Sequence, residues 1–280
     1  MKLALANDIL TFYSAQKKAL TYRLGLTMTN ENINSLLSEV SGKFVAIDGE
    51  KYYQIANADQ MKPFFISVVS ASDHWLFISS TGCLSAGRIR PENALFPYKS
   101  VDYIHESAEN TGSKTIVKVQ TESGCKQWEP FNLQHNSLYQ VQRNLYKNVA
   151  GDKIIFEEIN LDLGLTFKYQ WATSEQFGFV RTSTVKNNTQ QAVEFEIVDG
   201  IQNILPPEAP LALMQTSSAL LDAYKWNELL ADSSLASYSL YAKLSDRADP
   251  AESLRATTVF SVVDDCQSIL LSSEQLNAFR

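Results

Sequence analysis

The chain has 280 residues, 45% of them hydrophobic and 11% aromatic, and a net charge of −7. A chain of this length buries roughly three quarters of its unfolded surface, so its core needs no disulfide or metal staple. With 31 acids against 24 bases, and no basic run longer than Lys17-Lys18, the electrostatic footprint of a nucleic-acid binder is excluded.

The opening "MKLALANDIL" holds one lysine and too short an apolar run for a secretory leader, and no segment reaches the length of a membrane span. The sequence therefore predicts a cytoplasmic protein with no membrane partner. Residues 1–42 are predicted as a helical segment packed on the domain that follows. Asp8 to Leu20 carry Ile9, Phe12, Tyr13 and Ala19 on one side. In "NENINSLLSEV", Ile33, Leu36, Leu37 and Val40 keep helical spacing behind Asn30 as the N-cap.

From residue 43 onward strand signals dominate, and no repeat or linker divides residues 43–280, which are predicted as one globular unit. Strands are expected at Phe44 to Ile47, Lys51 to Ile55, Phe64 to Val69 and Trp75 to Ser79, then at Thr115 to Gln120, Leu138 to Tyr146 and Lys153 to Ile159. The clearest is "LGLTFKYQW", where Leu163, Leu165, Phe167, Tyr169 and Trp171 alternate with Gly164, Thr166, Lys168 and Gln170. A period of two puts one face on the core and the other toward solvent. Phe177 to Thr189 is predicted to turn at Lys186 to Thr189 and pair with "QAVEFEIVDG", where Val193, Phe195 and Ile197 alternate with Glu194 and Glu196. A helix is expected in "TSSALLDAYKWNELLAD", starting near Ser217 or Ser218, with Leu220, Ala223, Tyr224 and Leu230 as its stripe. Strands at Tyr238 to Leu244 and Ala256 to Val263 follow. Long antiparallel strands in this number stack as two layers, so the predicted fold is an all-β, two-layer antiparallel sandwich with two or three short helices.

Chemistry-bearing residues are sparse. Cys83, Cys125 and Cys266 are far apart and odd in number, and neither they nor His74, His105 and His135 show ligand spacing, so no metal site is expected. There is no GxSxG, and "SSTGCLSAGR" lacks the lysine of a phosphate-cradling loop, reading instead as a tight turn between Ser79 and Leu84. Asp264-Asp265 and Glu157-Glu158 are adjacent residues whose side chains diverge in an extended chain, which excludes them as catalytic pairs.

Two stretches remain. In "GRIRPENALFPY", Arg90 before Pro91 and Phe96 before Pro97 are biased to extended backbone, while Ala94, Leu95 and Phe96 anchor the loop. Arg88, Arg90, Glu92, Asn93 and Tyr98 are then polar groups on a rigid support. They are suited to a hydroxyl-rich or anionic ligand, or equally to an internal ion pair of Arg88 or Arg90 with Glu92. In "VDGIQNILPPEAP", Asp199, Gln202 and Asn203 lie among apolar residues and each requires a partner, either within the fold or on a ligand.

"DHWLFISSTGCLSAGRIRPENALFPYKSVDYIHESAENTGSKT", "FGFVRTSTVKNNTQQAVEFEIVDGIQNILP", "LLDAYKWNEL" and "SDRADPAESLRATTVFS" together resemble the amino-terminal region of large bacterial proteins related to cellobiose phosphorylases and similar glycoside phosphorylases and hydrolases. The resemblance spans about Phe64 to Val263. It implies a β-supersandwich similar to galactose mutarotase, followed in that family by a helical linker and an (α/α)6 barrel carrying the general acid. The present sequence stops at "SSEQLNAFR", so the resemblance implies a divided or truncated protein with no catalytic residue to carry over and no cofactor. Implied partners are a carbohydrate and the barrel of the parent enzyme, and a homodimer is compatible with both.

Three functions follow. The first is a non-catalytic carbohydrate-binding or scaffolding sandwich, with ligand contacts from Arg88, Arg90, Glu92, Asn93, Tyr98, Asp199, Gln202 and Asn203. The second is an independent sugar epimerase or mutarotase, which needs one of the three histidines beside a carboxylate. The third is a lectin-like module using an exposed Trp75, Trp128, Trp171 or Trp226 as a stacking platform, with Trp171 expected in the core.

Overall fold

The structure, a computed structural model, describes residues 39–280 except 106, 107, 210, 232, 245–252, 264, 265 and 267. The predicted helix at Asp8 to Leu20, the Asp264-Asp265 pair and most of the predicted Asn30 to Val40 helix lie outside the described residues. Of the last, Glu39 and Val40 are described and belong to no helix. Strand β1 (Ser41–Ile47) begins two residues ahead of the expected boundary at residue 43.

Strand β2 (Glu50–Ala56) returns along β1 through Asp48-Gly49, whose φ values of +50° and +80° suit the twist of a two-residue hairpin. Strands β3 (Phe65–Val68), β4 (His74–Ser79) and β5 (Leu84–Arg88) form a meander. The predicted turn between Ser79 and Leu84 joins the last two, with Gly82 N–H donating to the Ser79 carbonyl at 2.8 Å. Gly82 has φ +93°, and a Cβ there would lie 2.9 Å from the Tyr169 hydroxyl, so the position requires glycine twice over.

A short helix α1 (Val101–Ile104) leads to β6 (Gly112–Thr121) and β7 (Gly124–Trp128). The long strands β8 (Val141–Asn148), β9 (Lys153–Asn160), β10 (Leu165–Ser174), β11 (Gly178–Asn187) and β12 (Phe195–Gln202) follow. Helices α2 (Leu211–Thr216) and α3 (Ser218–Ala223) precede β13 (Lys225–Leu229), β14 (Leu235–Leu240) and β15 (Ala256–Phe260), and α4 (Leu276–Phe279) comes last.

These strands make a six-stranded sheet in the order β1-β2-β8-β9-β10-β11 and three-stranded sheets β12-β6-β7, β3-β4-β5 and β13-β14-β15, every neighbour antiparallel. The fold is all-β and sandwich-like. One apolar cluster joins the large sheet, through Phe156, Phe167 and Trp171, to β4, β6 and β7 through Leu76, Val117 and Trp128. Phe156 and Tyr169, cross-strand partners, stack at 4.8 Å with their planes 6° apart. The core face read in β10 holds, with Leu165, Phe167, Tyr169 and Trp171 all buried, but the opposite face is not open to solvent: Thr166 is buried too, and Gly164, Lys168 and Gln170 are half-buried. No helix among the described residues is long and apolar enough to cross a membrane.

Two expectations are corrected. Strand β11 pairs with β10 along its whole length, Leu165 opposite Asn187 and Ser174 opposite Gly178, and not with β12, which instead pairs with β6. The Asn187 to Thr189 stretch is no hairpin turn. The Asn187 side chain accepts from Thr189 N–H at 2.9 Å, and Asn188 N–H donates back to the Gly164 carbonyl at 2.8 Å, which redirects the chain from one sheet to the other. The helix predicted through Leu230 ends at Ala223, because Trp226 to Leu229 are taken into a ladder with β14. Leu221 is its buried residue, whereas Leu220, expected on the stripe, is 51% exposed.

Candidate functional site

The Gly87 to Tyr98 loop is stapled to the core. Leu95 N–H donates to the Ala86 carbonyl at 2.8 Å, and Ala94 and Phe96 are buried. A Cβ on Gly87 would meet Asn93 O at 2.6 Å and the Trp75 ring at 2.7 Å, so the loop folds back as closely as the backbone allows. Arg90 is extended at φ −135°, as its place before Pro91 dictates, and caps a single 3-10 turn, Pro91–Asn93. Ile89, a β-branched residue, has φ +60°, a strained value for its type.

The polar groups of this loop do not converge. Arg88 reaches away from Glu92 and forks onto Asp73, Nε to Oδ1 at 3.1 Å and Nη2 to Oδ2 at 2.8 Å. The expected pairing of Arg88 or Arg90 with Glu92 does not form. Arg90, Glu92 and Asn93 project into solvent, and Tyr98 lies edge-on to Trp75 at 6.1 Å.

The second predicted stretch lies inside and just beyond β12, since Asp199 sits mid-strand and does not close it. The Asp199 carboxylate accepts from Arg181 Nη1 at 2.8 Å and Nη2 at 2.7 Å, from Thr115 Oγ1 at 2.6 Å, and from the Ser183 hydroxyl. Burial on its own would raise its pKa; the guanidinium and the two hydroxyls outweigh burial and hold it below the usual range. Gln202 donates from Nε2 to the Glu109 carbonyl at 2.8 Å, and Asn203 is exposed with φ +62°. Asp199 and Gln202 thus find their partners within the fold. The two stretches are joined by a backbone bond, Leu205 N–H donating to the Leu95 carbonyl at 2.8 Å, and Leu95, Phe96, Ile201 and Ile204 share the main apolar cluster.

Between β6, β10 and the Gly82 turn lies a narrow cleft of about 20 Å³, room for little more than one water, lined among others by Thr81, Ser113, Lys114, Asn132 and Tyr169. Lys114 Nζ bridges Glu109 at 2.7 Å and Glu129 at 2.9 Å. Glu129, almost fully buried, also accepts from Asn132 and, at both oxygens, from the Arg280 guanidinium at 2.9 and 3.2 Å. Burial opposes its ionisation, but Arg280, Lys114 and Asn132 prevail and hold its pKa at about 2. Tyr169, completely enclosed, has its phenol raised, burial outweighing the Arg181 guanidinium stacked 5.2 Å over its ring. The sequence reading missed Lys114, Glu129, Tyr169 and Arg181 as a polar group. Its one available signal was Glu129 between Trp128 and Pro130, a carboxylate inside an apolar stretch.

Among the described residues the histidines do not complete an acid/base pair with a cleft carboxylate. His105 Nδ1 lies 2.8 Å from Ser79 Oγ, a hydroxyl that is fully buried and also bonded to Thr81 at 2.8 Å, so Ser79 offers substrate no nucleophile. His74 Nδ1 contacts Ser72 Oγ at 2.7 Å and lies 3.6 Å from Asp73, whose oxygens already serve Arg88. Burial and the Arg88 charge lower the pKa of His74 against the opposing pull of Asp73. His135 lies in a 3-10 turn with Nδ1 buried and unbonded. Among the described residues no three His, Cys, Asp or Glu side chains gather as metal ligands.

Glu157 and Glu158 diverge as read. Glu158 accepts from Trp128 Nε1 at 2.8 Å and Arg143 Nε at 2.6 Å inside the core, while Glu157 faces Tyr146 and Lys168 on the other side of the sheet. No protein-family model matches the chain, and no curated protein matches it either.

Proposed function

We propose that this chain is a cytoplasmic, non-catalytic β-sandwich of a carbohydrate-active enzyme of the glycoside phosphorylase or hydrolase kind, a scaffold and saccharide contact beside a catalytic (α/α)6 barrel. One observation carries the reading. Lys114 and Glu109, which line the cleft, are paired with each other, Lys114 also with Glu129; nearby, Arg181 is paired with Asp199 and His105 is bonded to Ser79. Groups held this way position strands, and among the described residues of this region they leave no paired acid and base to open a sugar ring. The epimerase alternative loses support for the same reason. The eight residues read from the sequence as ligand contacts divide accordingly: Arg88, Asp199 and Gln202 are bonded within the fold, Tyr98 lies against Trp75, and Arg90, Glu92, Asn93 and Asn203 remain available at the surface.

The test is polarimetry of freshly dissolved α-D-glucose and α-D-galactose with the purified chain, together with a glycan array. The expected result is an optical rotation that relaxes at the buffer rate and retention of at least one oligosaccharide class on the array. A rate enhancement abolished by His105→Ala would replace this reading with the epimerase. An array without any retained glycan would end the carbohydrate assignment.

A further inference from the structure

Glu129 is held by the body of the fold before Arg280 reaches it. Lys114 Nζ on β6 lies 2.9 Å from Oε2, Gln127 on β7 donates from Nε2 to Oε1 at 2.9 Å, and Asn132 donates from Nδ2 to Oε2 at 3.2 Å. Arg280 adds a fork to the same carboxylate, Nε to Oε1 at 2.9 Å and Nη2 to Oε2 at 3.2 Å, the planar match that a guanidinium makes and an ammonium does not. Without Arg280, three donors still fix the carboxylate, whose side chain is 2% exposed, so the site keeps its shape whether or not a guanidinium fills it. Its charge then changes. Glu109 and Glu129 are balanced by Lys114 and Arg280, and removing Arg280 leaves two carboxylates against one lysine, room for one cation.

The segment that delivers Arg280 is fastened by little else. Residues 272–280 are shaped from within. Ser272 caps the turn Ser273–Gln275 through a capping box, the Gln275 side chain accepting from Ser272 N–H at 3.1 Å. In α4 the Asn277 side chain accepts from Arg280 Nη1 at 3.3 Å. Beyond the segment, its polar side chains meet only Glu129 among the described residues. None of its residues is buried. Leu276 and Phe279 are half-buried, with Lys118 Nζ 4.8 Å over the Phe279 ring, and the Arg280 side chain is 37% exposed. A segment with so little apolar burial opens at a far smaller cost than the strands beneath it.

We propose that residues 272–280 form a reversible strap and that the Glu129 carboxylate is a guanidinium-binding site, which the strap fills with its own Arg280. The strap lifts by breaking one fork and the Phe279 contact, and the sandwich stays folded beneath it. Lifting uncovers a site made by Glu129, Lys114, Gln127 and Asn132 that selects a guanidinium over an ammonium by the two-point match. The proposal uses none of the contacts on which the carbohydrate reading rests.

The experiment is hydrogen exchange of the full chain, followed by mass spectrometry on residues 272–280 and, as the measure of global opening, on β8 to β10. Wild type is compared with Arg280→Ala and Arg280→Lys, and thermal melts verify that each is folded. Exchange in 272–280 should quicken by about tenfold or more in Arg280→Ala and stay fast in Arg280→Lys, with β8 to β10 unchanged. In a second arm, methylguanidinium and methylammonium are titrated by calorimetry into Arg280→Ala, into wild type and into the Arg280→Ala, Glu129→Gln double variant. Methylguanidinium should bind Arg280→Ala more tightly than methylammonium does, and should bind neither wild type, whose site is filled, nor the double variant. Exchange in 272–280 that is unchanged by Arg280→Ala would show that apolar contact holds the segment, and a quickening that spreads to β8 to β10 would make it part of the global unit; either overturns the strap. Absence of methylguanidinium binding to Arg280→Ala, or equal binding to the double variant, would overturn the site. A wild-type dimer that dissociates in Arg280→Ala would place Arg280 on a second copy's Glu129 and overturn the intramolecular strap.

Discussion

Arg181 on β11 and Asp199 on β12 clasp each other at two points across the boundary between two sheets, with nitrogen to oxygen separations of 2.8 and 2.7 Å. No ladder hydrogen-bonds β11 to β12, so the fork does the work of a missing strand pairing. Asp199→Ala leaves the Arg181 guanidinium, whose side chain is 8% exposed, without its counter-charge and is expected to cost about 3 kcal/mol. Because Asp199 is ionised more readily folded than unfolded, its contribution is fully present above the unfolded carboxylate range, near pH 4, and is lost as pH falls below it. Urea unfolding of Asp199→Ala, Arg181→Met and the double variant measures this. A double variant no more stable than the sum of the singles predicts would show that the two are uncoupled.

Glu129 gives a sharper acid signature. Its carboxyl falls from the usual 4.5 to about 2 in the fold, a difference worth roughly 3 kcal/mol. A depressed pKa contributes in full above pH 4.5 and fades as pH drops toward 2. The stability gap between wild type and Glu129→Gln should therefore be widest near neutrality and shrink steadily between pH 4.5 and 2.5. A gap that stays constant with pH would mean that Lys114 and Arg280 do not hold the carboxylate as described.

Phe167→Ala tests the core. The ring is 1% exposed and shares the apolar cluster with Phe156, Tyr169 and Trp171, so its loss is expected to cost about 3 to 5 kcal/mol. Chemical denaturation yielding less than about 1 kcal/mol would contradict its central place.

The alternation that exposes Phe167 as a core residue is written in nine consecutive positions, which is why β10 was legible. Partner choice was not. Turn-forming residues flank β11 at both ends, and local chemistry does not say whether Glu175 to Phe177 or Asn187 to Thr189 reverses the chain; the Asx contact at Asn187 and the bond from Asn188 to Gly164 decide it. Trp226 to Leu229 satisfy helical spacing with the preceding turn and strand spacing with each other, and only the ladder to β14 selects the second. The candidate site was legible in part for a related reason. Polar residues in apolar stretches were visible as needing partners, but Arg181, 18 residues before Asp199, and Arg280, 151 residues beyond Glu129, are joined to them by topology alone.

Arg88→Ala is expected to do little to stability. Arg88 and Asp73 meet at the surface, with side chains 56% and 36% exposed, where solvent and salt screen the pair. The loop keeps its anchor in Phe96 and in the bond from Leu95 to Ala86. The melting temperature should match wild type within error, and a distinct drop would show that the Asp73 fork, and not the apolar anchor, orders the loop.

Ile89 supplies the opposite case, a substitution that should stabilise. Its φ of +60° is one that β-branched residues avoid, and its side chain is 66% exposed, so little apolar burial is forfeited by removing it. The strain of such a position is of order 1 to 3 kcal/mol, and a glycine at φ +60° is free of it. Glycine loses more chain entropy on folding, by about 0.5 to 1 kcal/mol, which offsets part of the relief. Ile89→Gly should therefore gain about 1 kcal/mol in urea unfolding, with the gain absent from Ile89→Val, which keeps the branched Cβ. If the valine variant gained as much as the glycine, the benefit would come from losing an exposed apolar side chain and the backbone at residue 89 would be unstrained.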